Sequence, residues 1–269
     1  MKDNSLTLNP MSARLARLWQ TLIQHQTALI YLASITAAEL LTTFYSVQVG
    51  VAAHSMVLVA LILHASLVPD RPVHRLLLAL SLAPLVRILS LAMPLWPFAR
   101  IYWYIIIAAP LFAASFMVIR NLGLGRRELG LTFNKVPLQA VIALTGIPFG
   151  FMEYLILKPQ SLIAQLTFDQ IWLPAVILLI GTGFLEELIF RGLLQRVSLG
   201  ILGGTRGLIY VSLLFAALHI GYKSGWDLLF VFAIAVFFSW VAKRTGSILG
   251  VTLSHGLTNI FLYLVAPFL

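Results

Sequence analysis

The sequence predicts an all-α fold: a polytopic membrane helix bundle of about eight to nine transmembrane helices. Three observations carry this. The 269 residues are 60% hydrophobic and only 10% charged, whereas soluble domains run near ~25% charged and ~45–50% apolar. Apolar runs of roughly 20 residues, each long enough to cross a bilayer, recur from end to end. The runs are continuous rather than alternating, which argues against a membrane β-barrel.

The elements follow in chain order. Residues 1–26 are polar and mildly basic and read as a cytoplasmic N-terminal tail. They lack the short apolar core and small-residue site of a cleavable signal. Spans 27–48, 51–69, 73–95 and 101–120 form a first group of transmembrane helices (27–120). They carry scattered ionisable residues: Glu39 in the first, His54 and His64 in the second, Arg87 in the third. The polar segment 121–135, NLGLGRRELGLTFNK, reads as a cytoplasmic loop and is the clearest internal boundary. Spans 136–157, 171–195, 205–222, 226–242 and 247–268 form a second group (136–269), with Glu153 in its first span. The hairpins near 49–51 and 222–226 are short, and a merger there would change the count.

The net charge of +9 fits this map without invoking nucleic acid. With a cytoplasmic N-terminus, fourteen of the 18 Lys and Arg residues fall inside, among them Arg71, Arg126, Arg127, Arg196 and Lys243. Arg100, Lys158 and Lys223 fall outside, and Arg87 lies within a span. That bias follows the positive-inside rule. The expected location is therefore an integral, multi-pass membrane site (the cytoplasmic membrane if bacterial), with the lipid bilayer as partner. The absence of cysteine excludes disulfides, thiolate chemistry and Cys-based metal sites.

A charge in the hydrocarbon costs at least ~2.5–3.5 kcal/mol on insertion scales, so each intramembrane ionisable residue is a functional candidate. Glu39, His54, His64, Arg87 and Glu153 occur singly and read as structural pairs or interface groups; Glu39 or Glu153 could pair with Arg87. The later spans concentrate theirs: FLEELIFRG places Glu186, Glu187 and Arg191 on one helix, FAALHI supplies Phe215 and His219, and SHGLTN supplies His255 and Asn259. Residues four apart share a helix face. Glu187 and Arg191 are thus expected to neutralise each other, while Glu186, turned about 100° away, is left without a local partner. His255 and Asn259 can point into one cavity, with Phe215 as a packing wall beside His219. Counted along each helix from its cytoplasmic end, Glu186, His255 and His219 lie about 15, 12 and 21 Å deep, and this predicts a site in the cytoplasmic half. A buried polar network that only locks the bundle is the structural alternative.

Glu186 with His219 could activate a water as general base. His255 and the Asn259 amide could donate to a developing oxyanion. The same residues could instead ligate zinc, since Glu186, His219 and His255 form a catalytic-type donor set; the HExxH helix signature is absent. A serine-type Gly-x-Ser-Gly turn is missed by one residue at GYKSG, and Asp70, Asp169 and Asp227 lie in or beside loops, which leaves no intramembrane aspartate pair.

The three stretches fit the patterns EExxxR, FxxxH and HxxxN, in that order. They resemble the CAAX prenyl endopeptidase and bacteriocin-processing (CPBP, or Abi) family of intramembrane proteases, over about 171–266. The resemblance implies hydrolysis of a peptide bond in a membrane-associated protein or peptide. It implies Glu186 as the water-activating base, His219 as its partner, and His255 and Asn259 as oxyanion stabilisers, with Glu187 and Arg191 holding the site together. No cofactor is favoured, because an outer-shell carboxylate for each histidine is not evident in the pattern; zinc remains the alternative. A non-catalytic bacteriocin-immunity or secretion accessory protein, or a proton-relay transporter, would use similar residues.

Overall fold

The computed structural model describes the backbone of residues 10–269, and the side chains of all of these except residues 10, 12, 13, 16 and 17. Residues 1–9 of the expected N-terminal tail, with Lys2, lie outside the described residues, as does the side chain of Arg17. No strand occurs among the described residues. Nine of their helices are long and apolar enough to cross a membrane: α1 (Pro10–Phe44), α2 (Val47–Leu67), α3 (Arg71–Ala92), α4 (Arg100–Leu122), α5 (Val136–Leu157), α6 (Phe168–Leu202), α7 (Gly204–Tyr222), α8 (Gly225–Thr245) and α9 (Leu249–Phe268). The chain is an integral multi-pass membrane protein.

Both short hairpins are real turns. Each is closed by a serine whose hydroxyl accepts an N–H of the following helix: Ser46 from Val49 at the start of α2 and Ser224 from Asp227 at the start of α8. Such caps satisfy donors that a helix start otherwise leaves orphaned. α1 begins at Pro10, well inside the stretch read as a tail. Its residues 11–26 are rich in Ala, Leu, Arg and Gln, which are good helix formers, and nothing there breaks the helix. α3 and α5 bend at Ser81 and Thr145 respectively, which separate their halves.

α6 departs most from the expected 171–195. It runs 35 residues, near 50 Å at ~1.5 Å per residue. Two π-helical stretches, Leu179–Phe184 and Leu188–Leu194, flank a short α-helical piece, Leu185–Glu187. π-bulges of this kind gather at functional sites. α9 packs against α5 and against the first π stretch of α6. At the α6–α9 crossing the backbones meet through glycines: a Cβ on Gly183 would stand 2.8 Å from the Gly256 nitrogen. Small residues permit such approach where no hydrophobic force drives helices together. Gly183 lies three residues before Glu186, and Gly256 directly follows His255, so this crossing positions both.

The first three helices carry a charge cluster. Glu39 (α1) is fully buried and accepts from the Arg87 guanidinium (α3); His54 Nε2 (α2) stands 3.1 Å from the same oxygen. Of the two expected partners for Arg87, the structure selects Glu39. His64 takes a bond from, or gives one to, the Tyr31 hydroxyl at 3.1 Å.

Candidate active site

Glu187 and Arg191 form the expected pair: Arg191 Nη1 donates to Glu187 Oε1 at 2.7 Å, with both side chains fully buried. The guanidinium also lies over the Phe215 ring, 4.5 Å from its centroid, and over Phe238 at 5.6 Å. Such stacking favours a cation out of water. Glu187 does more than the helical spacing suggests. The same oxygen accepts from His255 Nδ1 at 2.8 Å. One buried carboxylate therefore links EExxxR on α6 to HxxxN on α9.

Glu186 points away from this pair, as helical phase requires. Its Oε2 stands 3.8 Å from His255 Nε2, a charge contact rather than a hydrogen bond. His219 sits at the end of α7, beyond its last regular turn. Its Nδ1 donates to the Phe215 carbonyl at 2.8 Å. A carbonyl only accepts, so Nδ1 holds the proton, and in the neutral ring Nε2 is a bare acceptor. Phe215 is the packing wall expected, its ring 4.6 Å from that of His219. Asn259 is held by Thr182 of α6, whose hydroxyl accepts from Asn259 Nδ2 at 2.8 Å and itself donates to the Leu178 carbonyl.

Glu186, His219, His255 and Asn259 line one cavity of about 80 Å³. A water needs roughly 10–15 Å³ on that measure, so the cavity has room for several. It adjoins a cleft of about 660 Å³, with Glu186, Phe215, His219, Thr182 and Tyr222 lining both. A cleft of that size is in the range that takes a small ligand or a few residues of chain.

Against known families, residues 167–261 match the model of type II CAAX prenyl endopeptidase Rce1-like proteins. This segment is similar to that family. The match agrees with the resemblance drawn from EExxxR, FxxxH and HxxxN, and at family level it supports a CAAX-type intramembrane protease. No curated protein and no solved structure matched the chain.

Three further features of the site and its surroundings differ from the sequence-based expectation. First, the histidines do have outer partners. Glu187 orients His255, and the Phe215 carbonyl orients His219. An outer carboxylate is thus present for His255 and not for His219, and a carboxylate 68 residues from its histidine leaves no trace in local spacing. The donor geometry is a separate matter: among the described residues no three His, Asp or Glu side chains converge as a metal site requires.

Second, the depth count does not give the end of the bundle at which the cleft opens. The cleft is lined at its mouth by Arg100, Pro159, Gln160 and Tyr222, at the end of the bundle opposite the basic loops. The count assumed spans that start at the bilayer surface. α6 is far longer than the ~20 residues a span needs, so distance from Arg196 does not fix depth, and His219 lies at the far end of α7.

Third, Glu153, read as an isolated group, is buried and lines the small cavity, as do Tyr104, Tyr222 and Tyr263. The Tyr222 and Tyr263 hydroxyls are 3.0 Å apart. Glu153 alone carried a usable signal, an intramembrane carboxylate, since tyrosines near span ends read as interface residues.

Proposed function

We propose that this chain is an intramembrane endopeptidase that hydrolyses a peptide bond of a membrane-embedded or membrane-associated polypeptide with an activated water and no metal, and that its N-terminus is cytoplasmic. The observation that carries the reading is the convergence of Glu186, His219, His255 and Asn259, from three helices, on one water-sized cavity beside a peptide-sized cleft.

The chemistry follows from the donors and acceptors. Glu186 takes a proton from a water in the cavity, and the His219 Nε2 lone pair accepts that water's second hydrogen and so fixes its orientation. The hydroxide adds to the substrate carbonyl carbon, and the carbonyl oxygen becomes an oxyanion. Asn259 has one amide hydrogen engaged by Thr182 and a second free to donate to that oxygen. His255, with Nδ1 committed to Glu187, donates from Nε2 as an imidazolium, for which Glu187 is the counter-charge. Collapse of the intermediate breaks the C–N bond, and the proton held by Glu186 passes to the leaving amine. Oriented donors in a dry site are worth more than in water.

The test is cleavage of a membrane-anchored reporter by reconstituted wild type and Glu186→Gln, each with and without a zinc chelator. General base loss is expected to reduce the rate about 10²–10⁴-fold, with the chelator without effect. Equal cleavage by both proteins would remove Glu186 from the mechanism, and loss of activity to the chelator with rescue by zinc would overturn the metal-free form.

A further inference from the structure

The loops of the bundle divide between two ends. Residues 123–135 and 246–248 meet at one end, where Ser247 Oγ donates to the Thr132 carbonyl at 2.6 Å and the Ile248 nitrogen to Gly130 at 2.9 Å. The 158–167 segment, Tyr222 and the C-terminal turn meet at the other, where the Leu162 nitrogen donates to the Tyr263 carbonyl at 3.1 Å. The first end carries Arg71, Arg75, Arg126, Arg127, Lys243 and Arg244; the second carries only Arg100, Lys158 and Lys223. Trp96 and Trp226 are largely exposed at the second end, as aromatic residues at a membrane interface are.

The cleft belongs to the second end. Arg100 and Leu111, eleven residues apart on α4, both line it, so it descends about 16 Å from its mouth. An extended chain covers that in roughly five residues. Short basic loops stay in the cytoplasm, so the mouth faces away from it.

We infer that the substrates are membrane-anchored polypeptides whose scissile bond lies in the non-cytoplasmic leaflet, such as exported precursors still held by a membrane segment, and that tails on the cytoplasmic side are outside the reach of this cleft. The inference rests on the endopeptidase reading above and adds the side of the membrane from which the substrate enters.

The chain has no cysteine, so single cysteines report sidedness directly in the full-length protein. Gln160→Cys at the mouth and Gln165→Cys in the same loop are expected to react with a membrane-impermeant maleimide in intact cells. Arg126→Cys and Lys243→Cys are expected to react only after the membrane is opened. The reverse pattern overturns the inference whatever the activity. A second arm uses single-span reporters with randomised juxtamembrane segments on one side or the other. Wild type is expected to cleave only those with the segment on the non-cytoplasmic side, and Glu186→Gln neither. Cleavage on the cytoplasmic side overturns the inference. The expected labelling with no cleavage of either library overturns the endopeptidase reading, and the substrate class falls with it.

Discussion

The most exacting consequence of the site geometry concerns Glu187, which is proposed to hold the site without taking part in the chemistry. Its single oxygen Oε1 accepts from Arg191 at 2.7 Å and from His255 at 2.8 Å, in a fully buried setting. Glu187→Gln removes the negative charge and leaves the Arg191 guanidinium uncompensated. Breaking a buried pair from one side costs about 3–5 kcal/mol. At ~1.4 kcal/mol per factor of ten, this is a fall of roughly 10²–10⁴-fold in the folded-to-unfolded ratio. Removing both charges together is far cheaper, because apolar replacement of a buried pair is often neutral. The double variant Glu187→Gln/Arg191→Met is therefore expected to recover most of the stability lost by the single one. It should not recover activity, because His255 still lacks its carboxylate. Equilibrium unfolding in bicelles and reporter cleavage, measured on the same four proteins of the cycle, separate the two effects. The reasoning is refuted if Glu187→Gln costs under about 1 kcal/mol, or if the double variant regains activity with stability.

Other outcomes follow from the same contacts. Gly256→Val places a branched side chain 3.1 Å from the Leu179 Cα; overpacking of this kind costs about 1–3 kcal/mol, and thermal unfolding and cleavage should fall together, since the crossing sets both Glu186 and His255. Thr182→Val frees the Asn259 amide. A lost orienting hydrogen bond is worth about 1 kcal/mol, so cleavage should slow roughly 5–10-fold with a small change in melting temperature; an unchanged rate would mean that Asn259 does not need Thr182. Exhaustive chelation followed by metal analysis should leave a protein that still cleaves, a result checked by single-turnover rates before and after treatment.

Much of this was legible from residue order. The nine helices appear as continuous apolar runs, and the Glu187–Arg191 pair and the orphan status of Glu186 follow from helical phase. What was not legible is tertiary. The Glu187–His255 bond, the Thr182–Asn259 bond and the choice of Glu39 over Glu153 for Arg87 join residues 48 to 77 positions apart, and no local period encodes them. The 35-residue α6 reads as a shorter span in sequence because its polar residues Asp169 and Arg196 look like interface markers. The position of the cleft mouth then depended on loops whose packing no single span reveals.

The Glu39–Arg87–His54 cluster bears on how the protein is made. Chain order brings Glu39 to the insertion machinery first, and Arg87 follows 48 residues later. Each charge alone costs at least ~2.5–3.5 kcal/mol to leave in lipid, and the two cancel only once α1 and α3 lie side by side. The first three helices are thus expected to settle as one cooperative unit during synthesis, with α1 retained near the translocon until α3 arrives. Glycosylation mapping of nascent chains would register this directly: Glu39→Leu should let α1 leave early, and should leave α3 with a lone guanidinium and a lowered insertion efficiency.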